Sequence, residues 1–73
     1  MTKLPVISAK KLVKILAAIG YYVRGQKGSH IHLRHPILPP LTIPNHKEIA
    51  KGTLRAILNQ ANFTIDEFLE LLE

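Results

Sequence analysis

The sequence has no cysteine and no tryptophan. Neither a disulfide nor a thiolate-bound zinc can therefore reinforce its core, and cysteine nucleophiles are excluded from its chemistry. No apolar run approaches the roughly 20 residues of a membrane helix, and Met1-Thr2-Lys3-Leu4-Pro5 lacks the apolar stretch of a secretory signal. A cytoplasmic protein with no membrane partner is expected. Acid is also scarce, and unevenly so. Residues 1–47 carry eight Lys/Arg (Lys3, Lys10, Lys11, Lys14, Arg24, Lys27, Arg34 and Lys47) with no Asp or Glu, whereas residues 48–73 carry two (Lys51 and Arg55) against five acids. The formal balance is +8 against −3.

What is present suffices for one small domain over residues 1–73. The 47% hydrophobic and 21% charged content is that of a globular chain, so ordinary helix and sheet packing must supply the core. A long stretch of uncompensated positive charge repels itself, and a polyanion that releases its counterions on contact is the partner such a stretch suits. Nucleic acid is the leading candidate, with plain solubility as the simpler explanation.

Periodicity orders the elements. Ser8 is an N-cap for a helix carrying Leu12, Ile15, Leu16 and Ile19 on one face, with Gly20 as its stop and with Lys10 and Lys14 on the opposite face. Tyr21 to Gln26 reads as a strand, Lys27-Gly28 as a turn, and Ser29 to His35 as a second, strictly alternating strand. The proline-rich stretch Pro36 to Pro40 predicts a stiff loop before a short third strand, Leu41-Thr42-Ile43, closed by Pro44. Two further helices follow, one from Thr53 with Leu54, Ile57, Leu58 and Ala61, the other with Ile65, Phe68, Leu69 and Leu72 behind a Thr64/Glu67 capping box. Strands joined by short turns form an antiparallel meander, so the expected fold is α+β, α-β-β-β-α(-α), with helices on one face of a three-stranded sheet.

The alternation sends Ile31 and Leu33 inward and gathers Tyr22, Arg24, His30, His32, Arg34 and Thr42 on the open face. That face is basic and free of carboxylates. Four histidines (His30, His32, His35 and His46) fall within seventeen residues, and histidine is the side chain best suited to moving protons near neutral pH. RNA carries its own nucleophile in the 2′-hydroxyl, so a protein need supply only a base, an acid and positive charge. One histidine could take the 2′-OH proton while another histidine or a lysine protonates the leaving 5′-oxygen, with Arg24, Lys27 and Arg34 on the developing charge. Gly28 beside Ser29 would let a phosphate approach the backbone, besides serving a tight turn. Free N–H groups at Lys51, Gly52 and Thr53 could hold another, although capping accounts equally for those residues. No cofactor is expected. A metal held by His30 and His32 would lack carboxylate or thiolate ligands and face neighbouring cations. The alternative to catalysis is a double-stranded-RNA-binding module using Lys10, Lys14, the strand turn and the start of the Thr53 helix.

Four ordered blocks, Ile19-Gly20-Tyr21, Gln26-Lys27-Gly28-Ser29-His30, Thr42-Ile43-Pro44-Asn45-His46 and Lys51-Gly52-Thr53-Leu54-Arg55-Ala56-Ile57-Leu58 with Gln60-Ala61, closely resemble the HicA (YcfA-like) toxin family over nearly the full chain. The resemblance implies a double-stranded-RNA-binding-like fold. It also implies the toxin of a type II toxin–antitoxin pair, an mRNA interferase that cuts RNA without the ribosome and is neutralised by a HicB-type antitoxin. The family's catalytic histidine lies in the Gly-Ser-His block, which is His30 here. The sequence departs from the family at Asn62, where relatives often have glycine, and in the prolines of residues 36–40.

Overall fold

The computed structural model describes residues 4–72; the basic Lys3 and the terminal Glu73 lie outside them. The elements follow as α1 (Ala9–Ala17), β1 (Tyr22–Lys27), β2 (His30–Arg34), β3 (Leu41–Pro44), α2 (Lys51–Gln60) and α3 (Ile65–Leu72). The strands pair antiparallel in the order β1-β2-β3, as a meander must. Ile31, Leu33, Leu41 and Ile43 point to one face and are buried with Leu12, Leu16, Leu54, Leu58 and Phe68 from the three helices. The result is the expected α+β, double-stranded-RNA-binding-like arrangement, with helices on one face of the sheet. Among the described residues Tyr21 is the one buried side chain that carries a polar group, and no helix is long and apolar enough to cross a membrane.

Strict alternation fails at one place. Tyr22 pairs with Arg34 and Val23 with Leu33, but the next pairs are Gly25 with His32, Gln26 with Ile31 and Lys27 with His30. Arg24 is thus the extra residue of a β-bulge, and parity shifts beyond it. Tyr22 and Lys27, five positions apart, both belong to the open face, whereas unbroken alternation would put Gln26 there instead. The turn is also displaced by one residue from the sequence expectation. It is Gly28-Ser29, with Gly28 at φ +59° and Ser29 not in the left-handed region, the pattern of a two-residue type II′ hairpin.

Helix ends explain two further residues. The Gly20 N–H donates to the Ala17 carbonyl and the Tyr21 N–H to the Leu16 carbonyl, both at 3.1 Å, a Schellman motif with Gly20 at φ +106°. The same pair of bonds recurs after α2: Asn62 N–H to the Asn59 carbonyl at 3.1 Å and Phe63 N–H to the Leu58 carbonyl at 2.9 Å, with Asn62 at φ +57°. Asn62 therefore occupies the left-handed position of a helix stop, which glycine fills without strain and asparagine tolerates better than other side-chain residues. The departure from the family pattern is conservative in backbone terms. At the start of α3 the capping box is formed, with Thr64 N–H donating to Glu67 Oε1 at 3.0 Å and Glu67 N–H to Thr64 Oγ1 at 3.1 Å. The Thr64 N–H and the Thr64 hydroxyl, which donates to the same Oε1 at 2.9 Å, hold the Glu67 carboxyl below the usual range.

Two outcomes follow for stability, read by thermal and urea unfolding. Asn62→Gly should leave the protein as stable or more so, while Asn62→Ala should cost about 1 kcal/mol, because alanine pays more than asparagine to adopt the left-handed conformation. A destabilising Asn62→Gly would contradict this account. Because the folded state holds the Glu67 carboxyl low, the cap contributes above the unfolded carboxyl value and is lost as pH falls through the lower folded one. Glu67→Gln should flatten that acid limb.

Candidate functional site

One end of the molecule is assembled by backbone hydrogen bonds between segments distant in sequence. The Asn45 N–H donates to the Ser29 carbonyl at 2.6 Å, fixing the β1–β2 turn to the chain leaving β3. The Ala9 N–H donates to the His46 carbonyl at 2.9 Å, and Ile7 bridges Ile49, so the entry to α1 is tied to the same loop. Ser8 caps α1 through its Oγ, which accepts from the Lys11 N–H at 3.1 Å. Lys10 in the first turn of α1 then shares a groove with Asn45, His46 and Lys47. Lys27, Gly28, Ser29 and His30 complete this end, and all four are exposed.

His30 sits at the tip of the central strand, with Lys27 opposite it on β1 and Pro44 opposite it on β3. Directly opposed residues of an antiparallel pair share a face, so the Lys27 ammonium and the His30 imidazole rise from the sheet together. The ring of His30 is exposed, away from the leucines and isoleucines beneath the sheet. Nothing in the fold crowds Gly28, where an added Cβ would meet no atom within 4 Å, so the backbone of the turn is open to an approaching group.

Farther along the open face lies a trough of about 610 Å³, lined among others by Arg24, Lys27, His32, Arg34, Thr42 and Gln60. His32 is half-buried, and its Nδ1 lies 3.3 Å from Thr42 Oγ1, within hydrogen-bond reach. Gln60, at the end of α2, joins the trough because its amide donates to the Pro40 carbonyl at 3.4 Å. Helical periodicity gives no hint of this placement, since α2 covers the other side of the sheet. Of the open-face group read from the sequence, Arg24, His32, Arg34 and Thr42 are brought together in the trough, with Lys27 added by the bulge, while Tyr22 pairs with Arg34 at the outer edge and His30 stands at the strand tip.

Lys14 is placed elsewhere, beside Lys11, Ile15, Leu71 and Leu72 in a groove between α1 and α3. Lys51 opens α2 itself, two residues before the expected start, and its N-cap, Ala50, offers no side-chain acceptor. The first-turn N–H groups there lack the side-chain cap that would otherwise account for those residues. Among the described residues, no three His, Asp or Glu side chains are grouped to hold a metal ion.

Residues 9–63 match the family model described as the HicA toxin of bacterial toxin–antitoxin systems. The chain belongs to the HicA toxin family. A solved structure described as a toxin–antitoxin complex from Streptococcus pneumoniae has a chain that superposes with a TM-score of 0.70 at 41% sequence identity. The match covers 78% of this chain and 98% of that one. No curated protein matches the chain. The HicA model ends at Phe63, before α3, yet α3 contributes the fully buried Phe68 to the core.

Of the four imidazoles in this HicA-family chain, His35 is committed to structure. Instead of continuing β2, its ring folds back: Nδ1 accepts from the N–H groups of Ile37 and Leu38, each at 3.0 Å, and Nε2 lies 2.8 Å from the Ile19 carbonyl. Since Nδ1 is an acceptor, Nε2 carries the proton and donates. The ring stands edge-on to Tyr21, with centroids 4.8 Å apart, and an added Cβ on Gly20 would come within 2.8 Å of Nε2. Tyr21 is itself buried and donates its hydroxyl to the Pro39 carbonyl at 2.8 Å. This knot orients the proline loop, and it removes His35 from the histidines free to exchange protons with a ligand.

His35→Ala should therefore lower unfolding free energy by about 1–3 kcal/mol, because two backbone donors lose their acceptor. Burial raises the Tyr21 hydroxyl above its ordinary value. Its contribution is therefore intact below about pH 10 and is lost as pH rises through the higher folded value. Tyr21→Phe should remove that alkaline loss. An unaltered alkaline limb in the variant would show that another group is responsible.

Proposed function

We propose that this HicA toxin is an endoribonuclease, an mRNA interferase that acts without ribosome, metal ion or small-molecule cofactor, with His30 as general acid or base. The observation that carries the reading is the exposed imidazole of His30 at a cationic end of a sheet whose strands carry no carboxylate, beside Lys27 and an uncrowded glycine turn. The 2′-oxygen of a ribose attacks its own phosphorus, the bond from phosphorus to the 5′-oxygen breaks, and the products carry a 2′,3′-cyclic phosphate and a free 5′-hydroxyl. One group takes the 2′-OH proton and another returns a proton to the 5′-oxygen. His30 fills one role; Lys27, His32 and His46 are the groups on the same face and end from which the other is drawn.

Lys27, opposite His30, supplies charge for the phosphorane, and the Gly28-Ser29 turn admits a phosphate oxygen close to the backbone, while Arg24 and Arg34, farther along the open face, hold neighbouring phosphates. Lys10 and Lys51 extend the phosphate-binding surface around the end of the molecule, with Lys14 as a more distant contact on the α1 flank. The physiological partner is a HicB-type antitoxin. The solved neighbour, itself a toxin–antitoxin complex at 41% identity, supports that assignment.

Induced expression should arrest growth and deplete mRNA, and purified protein should cleave a transcript in the presence of EDTA, leaving cyclic-phosphate ends. His30→Ala should cut the rate by about 10²–10⁴ with an unchanged circular-dichroism spectrum. A folded His30→Ala protein that remains fully active would remove the histidine from the reaction. RNA retention by both forms with no cleavage would instead identify a binding module.

A further inference from the structure

Lys27 links the His30 end to the trough, but Arg34, Thr42, Gln60 and the outer edge at Tyr22 lie beyond the reacting groups. The geometry points to this trough as the site of a short unpaired stretch of RNA, laid along β2 from Arg34 toward His30. The inference rests on the nuclease reading and specifies its substrate as single-stranded.

Three observations carry it. First, His30, His32 and Arg34 alternate on one face of β2, so they form a straight row about 13 Å long at the rise of an extended strand. A chain with regularly spaced charges can lie against such a row. Second, the face is only three strands across, roughly 10 Å between β1 and β3 at ordinary strand spacing. That width matches one sugar–phosphate chain, and a duplex could lay only one of its two backbones along it. Third, the lining and the adjoining edge of β1 supply each group an unpaired nucleotide needs. Arg24 and Arg34 present guanidinium donors for phosphate, and Tyr22, 55% exposed and paired with Arg34, offers a ring at the edge for a base to stack on. Thr42 and Gln60 bring neutral hydrogen-bonding groups to the floor and rim, and such groups can read the edge of a base that is not already paired. Among the described residues no carboxylate lines the trough.

The test uses the full chain carrying His30→Ala, so that RNA survives, and compares a short labelled oligoribonucleotide with the same oligonucleotide annealed to its complement. The single strand should bind tighter by roughly tenfold, within the range expected from one or two stacked bases. Adding Arg24→Gln and Arg34→Gln should weaken it and make the log–log salt dependence shallower by roughly 0.7 for each phosphate no longer neutralised. Tyr22→Ala should cost roughly fivefold or more. Removing the same charge from the helix side with Lys11→Gln and Arg55→Gln should leave single-strand affinity within about twofold, since a screened charge far from the site contributes little.

In the chain with His30 intact, the Arg24 and Arg34 changes should raise KM far more than they lower kcat, and Gln60→Ala should alter which sequences are cut. Equal or tighter duplex binding, or equal damage from the helix-side pair, would overturn the proposal. If the Arg24 and Arg34 changes leave RNA binding and cleavage untouched and release only the antitoxin, the face is a protein interface and the proposal fails while the nuclease reading stands. If the unaltered chain cleaves no RNA of any form, the nuclease reading itself fails.

Discussion

A sheet built as a meander with all its helices on one side has one dry face and one wet face, and everything else in this molecule depends on that asymmetry. Extended backbone alternates its side chains, so every residue that β2 commits to the core forces its neighbours outward. Ile31 and Leu33 are drawn under the helices by burial worth roughly 1.5–3 kcal/mol each, and His30, His32 and Arg34 are thereby held outward without needing any partner of their own. The hydrophobic effect thus positions the polar groups of the site, although it touches none of them.

Holding so many like charges together has a cost, and the architecture distributes it. Lys10, Lys47, Lys27 and Lys51 come from different elements, joined through backbone bonds such as Asn45 to Ser29 and Ala9 to His46 rather than through ion pairs. In solvent, repulsion between exposed cations is screened over about 8–10 Å, so the assembled end is tolerated when free and becomes favourable once a polyanion is present. The acids are segregated: four of the five lie from residue 66 onward, in α3 and its terminus, and the fifth is Glu48. This leaves the sheet face with a uniform sign of charge.

The four histidines show how little residue type alone decides. His30 is exposed at a strand tip, His32 is half-buried against Thr42, and His35 closes a loop with three hydrogen-bonding contacts, while His46 lends its carbonyl to α1 and leaves its side chain exposed. Proton exchange with a ligand requires a ring that is both reachable and uncommitted, and that condition separates His35 from the rest. The difference arises because the proline loop needs an acceptor for its backbone donors at Ile37 and Leu38, and the imidazole at the end of β2 is the group within reach.

Local rules were legible in the sequence wherever the physics is local. The cap at Ser8, the capping box of Thr64 and Glu67, the stop at Gly20, the order of elements and the outward parity of His30 all depend on interactions within a few residues or on a simple period. The bulge at Arg24, the backward fold of His35, the arrival of Gln60 at the trough and the placement of Lys14 in the groove between α1 and α3 depend instead on how distant segments meet. An extra residue in β1 is invisible until its partner strand sets the register, and a helix surface residue has no assigned neighbour until the helices dock. The sequence by itself therefore determined which side chains the open face would carry along β2. Only the tertiary structure decided which groups from elsewhere would join them, because that placement is set by strand pairing and packing between elements far apart in the chain.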